Sequence, residues 1–345
     1  MALLKMDPFK NYASLLSRGW VASIASRDGI PAYLGGTGRF GGTALVSDNG
    51  QYGCQIGIPA SQTVVVGVAL LFGGSTPTQT NVLGLHYGSV NPQIVIRYLS
   101  TGEIVVYRGP GIAYGTELGR SASGAFPLGA WHYLEIKAKI DGSTGTVEVR
   151  VNGATKLSLT GQNTYYTTSP VVTAIALNCL NQGFNNQSVW YSDFYACDTS
   201  GLTNNDFLGD CRVESLASSG AGAETQWTPL SGSNYANAQT ADGDTSYNKS
   251  NTVGQVDTYA MDDLSSVTGV IYGVQYLLYA RKDNAGSRTV APVARIGGTD
   301  YAGADENLGT SYAYAPEIKE KSPATSAAWT ISEVNAMEYG VKVTG

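Results

Sequence analysis

Trp131-His132-Tyr133-Leu134-Glu135-Ile136-Lys137-Ala138-Lys139 leads through Asp141-Gly142-Ser143-Thr144-Gly145 to Val147-Glu148-Val149-Arg150-Val151-Asn152-Gly153. This stretch decides the fold. Tyr133 and Glu135 alternate with Leu134 and Ile136, and Val147, Val149 and Val151 alternate with Glu148, Arg150 and Asn152. A period of two places successive side chains on opposite faces of a strand. Two such runs around a Gly-containing loop predict an antiparallel hairpin, and Asn152-Gly153 predicts the next tight turn. One face is dry and the other wet, as in a sheet that covers a core on one side. Glu135, Lys137, Lys139, Glu148 and Arg150 are therefore expected on the solvent face.

Working outward, further strands are expected at Val64–Phe72, Gln93–Leu99, Glu103–Arg108, Thr173–Asn178 and Val189–Cys197. Turn-rich pieces such as Gly35-Gly36-Thr37-Gly38 and Gly73-Gly74-Ser75-Thr76-Pro77 separate them. Helix is sparse: Asn11–Arg18 carries Tyr12, Leu15 and Leu16 on one side, and Ser332–Ala336 spans about one turn. Strands with turn signals at regular spacing predict β-sandwiches. Apolar periodicity stops at Asp198-Thr199-Ser200-Gly201-Leu202-Thr203-Asn204-Asn205-Asp206, which reads as a linker or long loop. A second β region follows, with strands expected at Val270–Ala280, Ala291–Ile296 and Gly340–Val343. The expected domains are 1–197 and 198–345.

Composition supports an all-β chain and removes other classes. The chain has 345 residues, with 43 Gly, 22 Tyr and only 14% charged residues. That is unlike the Ala, Glu, Lys and Leu excess of a long-helix protein. With a net charge of -6 and a sequence pI near 5.0, no nucleic-acid partner is expected. The longest apolar run, Val64–Phe72, is interrupted by Gly67 and has strand length, so no membrane insertion is expected. Met1–Lys10 is too short and polar for a secretory signal. The four cysteines, Cys54, Cys179, Cys197 and Cys211, lack the spacing of a zinc site. They are expected as buried thiols, with Cys197–Cys211 the pair to check for a bridge.

Few residues carry chemistry. A retaining glycosidase needs two carboxylates about 5–5.5 Å apart; neither Glu135 nor Glu148 has an acidic neighbour on its own strand face. His86 and His132 are the only histidines, and no nucleophile-elbow motif accompanies them. Asp242-Gly243-Asp244-Thr245-Ser246 spaces oxygen ligands like a calcium loop, but Val253 stands where the distal Glu belongs, so the segment reads as a turn. Tyr165, Tyr166, Tyr191, Tyr195, Tyr235, Tyr247, Tyr301, Tyr312 and Tyr314 lie beside Asn, Gly, Ser and Asp in loop-like contexts. Such tyrosines suit a binding face, and equally suit strands.

The hairpin from Trp131 to Gly153, with its V-x-V-N-G ending, and the closing Val189-Trp190-Tyr191-Ser192-Asp193-Phe194-Tyr195 resemble the concanavalin A-like lectin/laminin-G class of jelly rolls. The opening Asp7-Pro8-Phe9-Lys10-Asn11-Tyr12 with Trp20 and Gly38-Arg39-Phe40-Gly41-Gly42 looks like the version found in tailed-bacteriophage proteins. So do Gly209–Glu214, Asp242–Tyr247, Ala280–Asp283 and the ending from Pro323 to Val341. The resemblance implies a concanavalin A-like jelly-roll sandwich followed by a second, smaller β-sandwich domain. It also implies a virion structural protein assembled in the host cytoplasm, partnered by other tail or capsid proteins and by copies of itself. The expectation is a non-enzymatic, tail-associated or fibre-like component, with host-surface glycan as a further partner. Alternatives are a capsid decoration protein, a glycan depolymerase and a free lectin. No cofactor is expected, no catalytic, cofactor-binding or metal-ligating residue is assigned, and the ligand-contacting residues stay open.

Overall fold

A computed structural model describes residues 2–10, 14–22, 33–47, 53–73, 79–88, 91–110, 115–177, 188–265 and 268–345. Asn11, Tyr12, Cys179 and the Gly74–Pro77 turn lie outside the described residues. The chain divides into two compact units, Ser14–Val213 with the N-terminal strand, and Glu214–Gly345.

Among the described residues the first unit has fifteen strands: β1 (Leu3–Asp7), β2 (Trp20–Ala22), β3 (Tyr33–Gly35), β4 (Ala44–Ser47), β5 (Cys54–Ser61), β6 (Thr63–Gly73), β7 (Gln79–Tyr87), β8 (Asn91–Leu99), β9 (Ile104–Arg108), β10 (Thr116–Arg120), β11 (His132–Lys139), β12 (Gly145–Val151), β13 (Ala154–Gln162), β14 (Val172–Leu177) and β15 (Ser188–Asp198). They form two antiparallel sheets. One runs β13-β12-β11-β6-β15-β4-β3, with β1 also on β15; the other runs β10-β9-β8-β7-β14-β5-β2. The hairpin read from sequence is β11–β12, with Ile136 opposite Val149 and Leu134 opposite Val151. Leu134, Ile136, Val147, Val149 and Val151 are all buried. Asn152 and Gly153 take φ of 50° and 76°, the left-handed pair that a two-residue hairpin turn requires. Asn152 Oδ1 also accepts from the Tyr133 amide at 2.8 Å. Of the helix expected at Asn11–Arg18, the described part is a 3-10 turn over Leu16–Arg18.

The opening and closing motifs meet. Trp20 Nε1 donates to Asp7 Oδ2 at 2.9 Å, and the Phe9 amide donates to Asp7 Oδ1 at 2.8 Å. The Trp20 ring lies 5.2 Å from Phe9 and 5.1 Å from Phe194. Asp193 sits where β15 changes partner. Val189–Tyr191 pair with β4, Phe194–Cys197 pair with β1, and the register with β6 shifts between Ser192 and Tyr195. Asp193 itself has φ 52°, a bulge conformation that Asp tolerates better than most residues.

The second unit contains β16 (Ser218–Thr225), β17 (Thr228–Pro229), α1 (Asn234–Asn237), β18 (Asn248–Lys249), β19 (Val256–Met261), β20 (Val274–Ala280), β21 (Thr289–Ile296), β22 (Thr299–Ala302), β23 (Glu306–Asn307), β24 (Ala313–Lys319), α2 (Ile331–Ala336) and β25 (Glu338–Val343). Its main sheet runs β16-β19-β25-β21-β22, with β23 on β21, and β20–β24 form a separate two-stranded ribbon. Tyr276 from that ribbon packs with Ala294, Trp329, Val334 and Met337. Leu278 packs with Val290 and Val341. The expected strand at Val270–Ala280 is shorter, beginning at Val274, because Val270 and Tyr272 are exposed and have no core to face. The α2 turn falls where sequence placed it. Thr330 caps it by accepting from the Glu333 amide at 3.1 Å.

The segment from Asp198 to Asp206 does not stand apart as a linker. It opens a strap that packs on the first unit as far as Val213.

Candidate functional site

Glu135 is the first residue the structure moves. Period-two reading places it on the solvent face, and it is on that face, yet it is fully buried. The strap covers it. Lys137 pairs with Asp206 at 3.1 Å, and Arg150 stacks over the Phe207 ring at 3.9 Å. The Leu208 amide donates to Tyr195 Oη at 3.1 Å, and the Gly209 amide to Glu135 Oε1 at 2.8 Å. Arg39 Nη2 donates to Asp210 at 2.7 Å, and the Val213 amide donates to Asp193 Oδ1 at 2.9 Å. Tyr195 Oη donates to Glu135 Oε1 at 2.5 Å.

Gly67 makes that last bond possible. Glu135 and Tyr195 both flank Gly67 across the sheet. The Tyr195 ring crosses β6 over Gly67, where any Cβ would collide with it. The interruption in the Val64–Phe72 run is thus a passage for an aromatic ring. Burial pushes the Tyr195 hydroxyl far above its ordinary range, and the Cys211 thiol up to about 12. Cys211 keeps its thiol, whose Sγ lies 3.6 Å from Leu208 O, so no bridge joins it to Cys197. These contacts hold the strap over β11 and β15.

The two histidines of the first unit are strand residues. His132 Nδ1 lies 2.9 Å from Asn152 Nδ2, with its ring edge-on to Phe126. Desolvation lowers the His132 pKa, and Arg39 adds to that lowering. His86 is buried in β7, opposite Pro92 and Ala174. Tyr191 and Tyr195 are buried strand residues, not loop residues. Tyr166 is 45% exposed, with its ring against Gly109. Between the sheets, Leu70, Phe72, Ile96 and Phe126 border a cavity of about 10 Å³. That volume is at the lower limit for one water and far too small for a sugar.

The second unit gathers three of the segments that sequence singled out. Tyr279 on β20 pairs directly with Tyr314 on β24, ring centroids 4.6 Å apart. Tyr312, two residues before Tyr314 and so on the same face, stacks on Tyr279 at 5.0 Å and 19°. Arg281 caps the row, its guanidinium 5.2 Å from the Tyr312 centroid. Asp244 closes the group. Its Oδ1 accepts from Arg281 Nη2 at 2.9 Å and from Tyr312 Oη at 3.1 Å. Both donors hold the Asp244 carboxyl below its ordinary value, Arg281 first. The loop presenting Asp244 is set by Asp242, whose Oδ1 accepts from the Ser246 amide at 3.0 Å and from its hydroxyl at 2.9 Å. That is the turn chemistry expected of Asp rather than a cation loop. Among the described residues no group of His, Cys, Asp and Glu is arranged to hold a metal ion, and no helix is long and apolar enough to cross a membrane.

The result is a carboxylate, a guanidinium and a stacked row of tyrosines, with the Asp244 side chain 66% exposed. Sequence flagged Asp244, Arg281, Tyr312 and Tyr314 in separate contexts and missed Tyr279, which reads as an ordinary strand residue. The β20–β24 register brings Tyr279 to Tyr314, and the Asp244 loop joins them through Arg281 and Tyr312.

The fold defined here is an all-β chain whose first unit is a two-sheet sandwich. No protein-family model matches it, and no curated protein matches it. Solved structures similar to it include alginate lyase Aly36B, at 13% identity and a TM-score of 0.35, covering 52% of this chain and 97% of that one. Another is domain 4 of AbnA, a GH43 extracellular arabinanase from Geobacillus stearothermophilus, in complex with arabinotriose. It has 17% identity and a TM-score of 0.37, covering 57% and 93%. A third is the carbohydrate esterase vb_24B_21 from Shiga toxin-encoding bacteriophage phi24B, with 12% identity and a TM-score of 0.36, covering 56% and 99%. These likenesses concern the fold. They also correct the expectation of a non-enzymatic chain. Structures similar to this one are those of enzymes or parts of enzymes.

Proposed function

We propose that this chain is a glycan-contacting protein of a tailed-bacteriophage virion, and that Asp244, Arg281 and the Tyr279–Tyr312–Tyr314 row make the contact. In this reading it sits on the tail with other virion proteins and copies of itself, because a glycan contact serves a surface that meets the host. The observation that carries the reading is the exposed Asp244 carboxylate, held by Arg281 and Tyr312 beside stacked rings. Polar groups fixed in advance beside aromatic surface are the arrangement by which proteins orient small polar ligands. The sequence resemblance to phage virion proteins supports the setting, through Asp242–Tyr247 and Ala280–Asp283.

The test is an array of bacterial surface polysaccharides probed with the full chain and with Tyr312→Ala. Binding by the native chain that falls roughly tenfold or more in the variant is expected, because the Tyr312 hydroxyl donates one of the hydrogen bonds that fix Asp244. Binding that is unchanged in the variant moves the site elsewhere, and no binding at all overturns the reading. Electron microscopy of the particle checks the setting. Copies on the tail in multiples of three or six are expected, whereas icosahedral order on the shell would identify a capsid decoration protein.

A further inference from the structure

Resting on that reading, we infer that the Asp244 site takes neutral glycans and rejects acidic ones. Asp244 Oδ1 is occupied by Arg281 Nε and Nη2 and by Tyr312 Oη. Asp244 Oδ2 carries no hydrogen bond among the described residues, and the side chain faces water. An ionised carboxylate oxygen accepts and never donates. Its natural partner is a hydroxyl, and adjacent hydroxyls on a sugar ring offer donors at the right spacing.

The cation beside it does not reverse this preference. Arg281 directs Nε and Nη2 at Asp244 and Nη1 at Lys282 O. Its two-pronged edge, the part that would clamp a carboxylate, is thereby committed. Lys282 Nζ donates to Gly286 O at 2.8 Å. Asp242 adds a second negative charge two residues away, its oxygens turned to Ser246 and Thr240. A uronate or sialate carboxylate would therefore meet acceptors and like charge. The ring row does not alter the balance, since Tyr312 has Tyr279 on one side and Arg281 on the other. The site reads hydroxyls by hydrogen bonds rather than offering Tyr312 as an open stacking platform.

The experiment is calorimetric titration of the full chain with two panels. One holds neutral glucan, galactan and mannan oligosaccharides; the other holds oligoalginate and oligosialic acid. Asp244→Asn and Tyr312→Ala accompany the native chain, with melting curves to show that each variant is folded. Asp244 is exposed, so Asp244→Asn is expected to fold normally. The expected result is binding from the neutral panel alone, weakened roughly tenfold by Asp244→Asn, because a charge-assisted acceptor is lost. Some acidic binding should appear in that variant as Arg281 is released. Acidic oligosaccharides bound by the native chain and lost in Tyr312→Ala would overturn the preference and leave the glycan reading standing. Binding of neither panel, or binding indifferent to both substitutions, would overturn the reading and the inference together.

Discussion

Asp193 shows how one residue can carry a junction. It is 2% exposed, holds φ 52°, and satisfies the Val213 amide. Asp193→Ala removes that acceptor and sets a less suitable residue in the left-handed region. We expect a loss of about 1–3 kcal/mol by denaturant unfolding. Glycan affinity should be unchanged, since the proposed contact lies in the second unit. Asp193→Asn keeps the acceptor and the backbone preference. Burial raises the Asp193 pKa, outweighing the Val213 and Ser192 hydrogen bonds and the Arg39 and Lys10 charges. A raised folded-state value contributes stability that is fully present below the unfolded value, roughly 4, and is lost as pH rises through the folded value. Relative to native, Asp193→Asn should therefore gain in melting temperature between pH 4 and pH 8. A difference that stays flat across that range would contradict the argument. Gly67 makes a second residue-scale case. Gly67→Ala should displace the Tyr195 ring and cost about 1–3 kcal/mol, as overpacking does. Adding Tyr195→Ala should relieve the clash, making the two changes strongly non-additive.

At the scale of elements, the strap is the unexpected part. Its sequence is polar and aperiodic, and nothing in its own pattern says that it seals a sheet face. What fixes it is a succession of contacts from Asp206 to Val213, including three backbone amides that donate to buried side chains of β11 and β15. Hydrogen exchange should find the Leu208, Gly209 and Val213 amides as slow as the strands beneath them. Glu135→Ala should release Leu208 and Gly209 to fast exchange while the β11–β12 hairpin stays protected. The hairpin itself was legible because its alternation, its Asn-Gly turn and its core face agree. The wet face misled because a polar face can be covered by more chain as readily as by water, and Glu135 looks the same in either case.

At the scale of the molecule, the strap moves the end of the first unit from the expected residue 197 to Val213. A fragment ending at Val213 should fold with a single cooperative transition. One ending at Cys197 would remove the strap amides that donate to Glu135, Tyr195 and Asp193, and should be less stable and prone to aggregate. Equal melting temperatures for the two fragments would show that the strap adds nothing.

What the sequence determined by itself was local and periodic. The alternation in β11, β12 and β15, the Asn152-Gly153 turn and the Thr330 cap follow from steric preferences and side-chain periodicity within a few residues. The all-β class follows from repeating those patterns along the chain. What only the tertiary structure decided were the meetings of distant residues. Tyr195 reaches Glu135 over Gly67, the strap closes on both, and Tyr279 stands between Tyr312 and Tyr314 while Asp244 turns in from another loop. Those depend on strand order and register, which are set by the packing of the whole sheet, and no short stretch of sequence contains that information.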